Sequence, residues 1–134
     1  MLARAMKQLR VVNLNELVHH ELSSSSTGES FSLSAVVTDA LQIGSMFIHH
    51  DIIPPGRRAS GAHRHTTRDE VVVVLSGRVR AWHAGAEVVL HEGDALALPA
   101  ASDDDHYIAN DGTNAAVILV IAPSAPEDVV LSHG

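Results

Sequence analysis

The sequence predicts an all-β domain, a sandwich or small barrel, and three observations carry that expectation. Short runs of Val, Ile, Leu and Ala recur along the chain, cut at near-regular intervals by turn pairs such as Ser76-Gly77, Gly93-Asp94 and Asp111-Gly112. No segment sustains the 3.6-residue apolar period that an ordinary helix needs. With 134 residues the chain is one domain's worth, long enough to bury a true core.

The elements follow in order. Residues 1–30 hold two apolar patches, Leu9–Leu14 and Leu17–Leu22. The first reads as an edge strand; the second stays open between helical turn and loop. Ser23–Gly28, SSSSTG, reads as a polar loop that buries nothing. Phe31–Val37 alternates apolar and small polar residues, as a half-buried strand does. Ile43–Ile53 is a longer strand, stopped by Pro54-Pro55-Gly56. Glu70–Leu75 and Arg78–His83 flank the Ser76-Gly77 turn, and Ala86–Leu90 and Ala95–Leu98 flank Glu92-Gly93-Asp94. His106–Ala109 and Ala115–Ile121 complete a body spanning 31–122, with 123–134 expected as a C-terminal tail.

Composition narrows the function classes. Hydrophobic residues make up 46% but aromatic ones only 3%, namely Phe31, Phe47, Trp82 and Tyr107, so the core must be aliphatic. A formal charge of −7 argues against nucleic acid as the partner. The absence of cysteine excludes disulfides, thiolate metal sites and thiol catalysis. Met1–Arg10 carries basic residues with no apolar run behind them, and no stretch approaches roughly 18 apolar residues. The expectation is a cytoplasmic protein that does not engage a membrane.

One constellation carries chemistry. His63 and His65 are two apart, so on an extended strand both imidazoles leave the same face. Glu70 opens the next strand after a four-residue turn, and His106 begins a distant one. Imidazole and carboxylate donors suit Fe, Mn, Zn or Ni. The bland alternative for these residues is a solvated strand end.

Here the residues resemble a known family. The first cupin motif, G-x5-H-x-H-x3,4-E-x6-G, is matched from His63 through His65 and Glu70 to Gly77 without a gap. The second, G-x5-P-x-G-x2-H-x3-N, is matched by Gly93, Pro99, His106 and Asn110. The sequence departs from the pattern in three places: six residues separate Gly56 from His63, Ala101 stands where the motif has Gly, and six residues separate Pro99 from His106. The resemblance implies a double-stranded β-helix, the jelly-roll cupin barrel, holding one divalent metal ion through His63, His65, Glu70 and His106. It implies a small-molecule ligand in the barrel, and two uses for the site. One is a metal-dependent enzyme on a small organic-acid-like metabolite, a dioxygenase, isomerase or decarboxylase; the other is a binding or sensor module without turnover. No unambiguous acid or base stands beside the four residues in the sequence, so catalytic residues stay unassigned and both uses stay open.

The other polar residues read as structural. His19-His20 and His49-His50 are adjacent, so each pair splits to opposite faces of a strand and cannot chelate together; they read as surface or satisfied histidines. His83 and His91 flank a hairpin and read as exposed, and His133 falls in the terminal segment. Asp103-Asp104-Asp105 reads as a solvated loop, and Arg57, Arg58, Arg64, Arg68, Arg78 and Arg80 as solvated arginines. Finally, if Glu70 faces inward, Val71, Val73 and Leu75 face outward. An aliphatic outer face predicts a homodimer through this sheet, unless residues 1–30 fold back over it.

Overall fold

The computed structural model describes residues 9–132; Met1–Gln8 and His133 lie outside them. Eleven strands occur among these residues: β1 His20–Ser23, β2 Ser30–Val36, β3 Met46–Ile53, β4 His63–His65, β5 Glu70–Ser76, β6 Arg78–His83, β7 Ala86–His91, β8 Ala95–Leu98, β9 His106–Ala109, β10 Ala116–Pro123 and β11 Val130–Ser132. A one-turn helix, α1 Val37–Leu41, follows β2, and a 3-10 turn spans Leu14–Glu16. The strands form two antiparallel sheets, ordered β1-β2-β3-β10-β5-β8 and β11-β4-β9-β6-β7. This is the jelly-roll arrangement, two sheets facing each other across one interior.

The core is aliphatic, as the composition requires. Ile53, Val72, Val74, Val79, Ala81, Leu90, Ile108, Ile118 and Val120 are buried between the sheets. Alternation along β5 sends Glu70, Val72 and Val74 inward, while Val71 and Leu75 stay about two-fifths exposed. The Ser76-Gly77 turn is tight. Gly77 has φ +77°, and a Cβ there would sit 2.9 Å from Ala115 O and Ala116 Cα. Asn110 closes the opposite loop: its Nδ2 donates to Ile53 O and Asn114 O, and its Oδ1 accepts from Gly112 N–H.

Two segments differ from expectation. Leu9–Leu14 is not a strand; Leu9 and Val11 stand almost wholly in water, and the edge strand is His20–Ser23. No described strand pairs with residues 9–14, whose backbone bond is the local one from Glu16 N–H to Asn13 O, so apolar content alone did not make a strand. The segment after 122, expected as a tail, contributes β11, which pairs with β4 in the register Val130 with His65 and Ser132 with His63. The adjacent histidines of β3 split between faces, as expected, and each is satisfied by a hydrogen bond. His50, 1% exposed, lies on the outer face, where its Nδ1–H donates to His19 Nε2 at 2.8 Å. The direction follows because His19 Nδ1 donates to Leu17 O. Burial pushes the His50 imidazole below its ordinary pKa, helped by His19 and opposed by Asp51.

Candidate metal centre

β4 runs beside β9, with His63 opposite His106, and β5 lies in the facing sheet. The i, i+2 spacing aims His63 and His65 inward, and Glu70 meets them from across the barrel. Donor atoms of His63, Glu70 and His106 all lie within 4.8 Å of one another. His65 Nε2 is 3.3 Å from Glu70 Oε1, and His106 Nε2 is 3.7 Å from the same oxygen. His65 joins through Glu70 rather than as a member of the tight threesome.

Hydrogen bonds decide which nitrogen each ring presents. His63 Nδ1–H donates to Gly61 O at 2.8 Å, and His65 Nδ1–H donates to Asp128 Oδ2 at 2.7 Å. In the neutral rings, Nε2 is therefore left with a lone pair. The Nε2 atoms of His65 and His106 are buried with no hydrogen-bond partner among the described residues. A lone pair facing a carboxylate oxygen at 3.3 Å, away from water, is unfavourable unless a cation lies between them. Donors about 2.1 Å from one common ion sit roughly 3–3.5 Å apart, close to the spacings here. The donor set fits a metal ion, and the chemistry of nitrogen and carboxylate oxygen leaves its identity open.

Charge is arranged to keep Glu70 ionised. Burial alone would raise its pKa, but His106, His65, Arg68 and His63 together hold it down at about 2. Burial likewise pushes the His63 imidazole below its ordinary value. Asp128 is also held well below the carboxylate range: burial opposes this, but backbone N–H groups of Thr67 and Arg68 and the His65 ring outweigh it.

These residues line a cavity of about 630 Å³ with an apolar wall of Val72, Leu98, Ile118 and Val120. Three further groups in it escaped the sequence reading. The serine run Ser23–Ser26, expected to bury nothing, contributes to the wall. Arg68, expected in solvent, places Nη2 3.3 Å from Glu70 Oε2 and its guanidinium 5.1 Å above the Phe47 ring. On β3, His49 and Asp51 also face the cavity. The last pair was findable, since H-x-D spacing on a strand follows the same rule as H-x-H. Asp128 had no such signal, because its place depends on β11 pairing with β4.

The lengthened loop still delivers His106. Arg64, on the outer side of β4, bonds Asp105 Oδ1 at 3.0 Å, and Ala101 N–H donates to His65 O at 2.9 Å. Asp105 is thus a tether rather than a solvated residue. Arg57, Arg58, Arg78 and Arg80 likewise pair with Glu21, Glu29 and Asp111. His83, expected exposed, is part-buried and bonds Ser102 Oγ at 2.8 Å.

The family model described as "Cupin domain" matches residues 49–122, more than half of the chain. The chain belongs to the cupin family. Among solved structures, this cupin resembles a protein from Acidithiobacillus ferrooxidans provisionally described as a sugar phosphate isomerase. The two are 28% identical, with a TM-score of 0.78 over 88% of this chain and 75% of that one. It also resembles a cupin-superfamily sugar phosphate isomerase from Silicibacter pomeroyi, at 23% identity and TM-score 0.78, over 92% and 82% of the two chains. A predicted oxalate decarboxylase from Thermotoga maritima shares the fold at 20% identity and TM-score 0.71, over 87% and 100%. No curated protein matches the chain.

Proposed function

We propose that this cupin holds one divalent metal ion through His63, His65, Glu70 and His106 and acts as an enzyme on a small, oxygen-rich anionic metabolite. One observation carries the reading: the unpartnered, buried Nε2 atoms of His65 and His106 converge on a single ionised carboxylate oxygen. A divalent ion there would serve as a Lewis acid toward a carbonyl or carboxylate oxygen. The chain's own residues supply the rest. Asp128 and Gly61 O fix the tautomers of His65 and His63. Arg68 sets a positive charge in the cavity wall, and Ser23–Ser26 offer hydroxyls to a polar substrate. The likeness to the 28%-identical isomerase supports a hydroxylated, charged substrate.

Elemental analysis of protein purified without an affinity tag tests the metal reading. One equivalent of a transition metal is expected in the wild type and none in Glu70→Ala; equal content in both would refute it. No helix among the described residues is long and apolar enough to cross a membrane. We also propose a homodimer through the outer face of β5. Val71 and Leu75 remain exposed there, while β1 lies at the far side of the same sheet. Light scattering reading the mass of one chain at micromolar concentration would overturn the dimer.

A further inference from the structure

We infer that His49 is the proton-transferring residue of this site, held in its working tautomer by Asp51, so that the chemistry is proton movement on carbon rather than oxygenation. The inference rests on the metal reading above and adds the reaction class to it.

The geometry comes from β3. His49 and Asp51 are two apart and both line the cavity that His63, His65, Glu70 and His106 line. His49 Nδ1–H donates to both oxygens of Asp51, at 2.9 Å each. Asp51 is 3% exposed, so its carboxylate is a fixed partner rather than a surface charge. The Phe47 ring meets His49 edge-on at 5.5 Å and 87°, restricting the imidazole further. With Nδ1 committed, Nε2 is left as an acceptor, and no hydrogen bond engages it among the described residues. An imidazole oriented by a buried carboxylate through one nitrogen, with the other free toward a cavity, has the form of a general base.

Its position suits that task. In strand register His49 lies opposite Val120, and Val120 opposite Val72, two residues past Glu70. The dyad therefore stands two strands from Glu70, roughly 10 Å across the sheet. A metabolite of a few carbons can span that gap with an oxygen at the metal-side donors and a C–H at His49. The step balances without a co-reactant. The C–H bond of a hydroxyl-bearing carbon beside a carbonyl breaks, its electron pair becomes a C=C bond as the carbonyl π pair moves onto oxygen, and the proton rides on His49 Nε2. The hydroxyl proton then passes to that oxygen, the hydroxyl oxygen becomes the new carbonyl, and His49 returns its proton to the former carbonyl carbon, which gives the isomer with nothing oxidised or reduced overall.

The experiment measures metal content first, then solvent exchange. Wild type, His49→Gln, Asp51→Asn and Glu70→Ala are analysed for metal. Each is then incubated in D₂O with dihydroxyacetone phosphate or ribulose 5-phosphate while proton NMR follows the C–H signals beside the carbonyl. Wild type should exchange those protons. His49→Gln should keep its metal and lose exchange by about 10²–10⁴-fold. Asp51→Asn should lower kcat with KM unchanged, and ¹⁵N NMR should show His49 passing from a single Nδ1–H tautomer to a mixture. That last readout does not depend on the His49 variant folding. Metal-bearing wild type that exchanges neither probe above buffer, or His49→Gln that exchanges as wild type does, overturns the inference and leaves the metal reading standing. Wild type that binds no metal overturns the metal reading, whatever the exchange result.

Discussion

From His63 to Gly77 the proposed ligands stand on the strands themselves, whereas from Gly93 to Asn110 the fourth follows a loop two residues longer than the family pattern. In the first region spacing is enough: i, i+2 on β4 and the first residue of β5 put three side chains into the cavity. In the second region spacing fails and tethers replace it. Arg64 holds Asp105, Ala101 holds the His65 carbonyl, and His106 pairs in register with His63 on one side and His83 on the other. A strand-borne site tolerates no slip, since one residue of shift would turn every side chain outward. A ligand that opens a strand after a loop tolerates insertion in that loop so long as its strand is registered independently.

The largest effect should come from breaking the rigid region at its turn. Gly77→Ala places a methyl 2.9 Å from backbone atoms of Ala115 and Ala116, at φ +77°. The left-handed conformation costs about 1–2 kcal/mol for a residue with a Cβ, and overpacking against backbone about 1–3 more. A loss of about 3 kcal/mol is expected, read as a fall in Tm of roughly 10 °C. Little change would mean that the turn can relax, and that the first region is less rigid than its register suggests.

Next comes the support behind His65. Asp128 accepts from its Nδ1–H and from the backbone N–H groups of Thr67 and Arg68. Asp128→Asn should keep the fold yet weaken metal binding by about 10–100-fold, as outer partners of ligating histidines typically do. Competition against a chelator of known affinity measures it; unchanged affinity would show that strand geometry alone orients His65.

How far the site was legible follows the same division. His63, His65 and Glu70 are brought to the cavity, as strand periodicity implied. Asp128 was invisible, because a contact across 63 residues depends on β11 joining the sheet. His49 and His50 were half legible: adjacency gave the split between faces, but not that one would meet Asp51 inside and the other His19 outside. The outer pair has a pH consequence. Burial lowers the folded pKa of His50, so below the unfolded value of about 6.5 the unfolded chain binds protons more readily. Its contribution to stability is complete above that value and is lost as pH falls from there to the lowered folded value. Melting curves at about pH 7 and about pH 5 should show wild type losing more stability than His50→Leu. Parallel losses would mean the pair stays solvated.

The smallest effect tests the loop. Ala101 stands where the cupin pattern has Gly, and the chain keeps the glycine conformation there, φ +60°. Its methyl group is exposed, so no packing is lost on removing it. Ala101→Gly should relieve about 1–2 kcal/mol of left-handed strain. The greater freedom of glycine in the unfolded chain offsets about 0.4–1 kcal/mol of this. A net gain of about 0.5 kcal/mol remains, roughly 2 °C in Tm. Metal affinity should not move, because His106 takes its place from the register of β9 with β4 and β6 rather than from the conformation at Ala101. A gain in stability with weakened metal binding would contradict that account: the strained alanine would then be what aims the loop, and the second region would be as dependent on local geometry as the first.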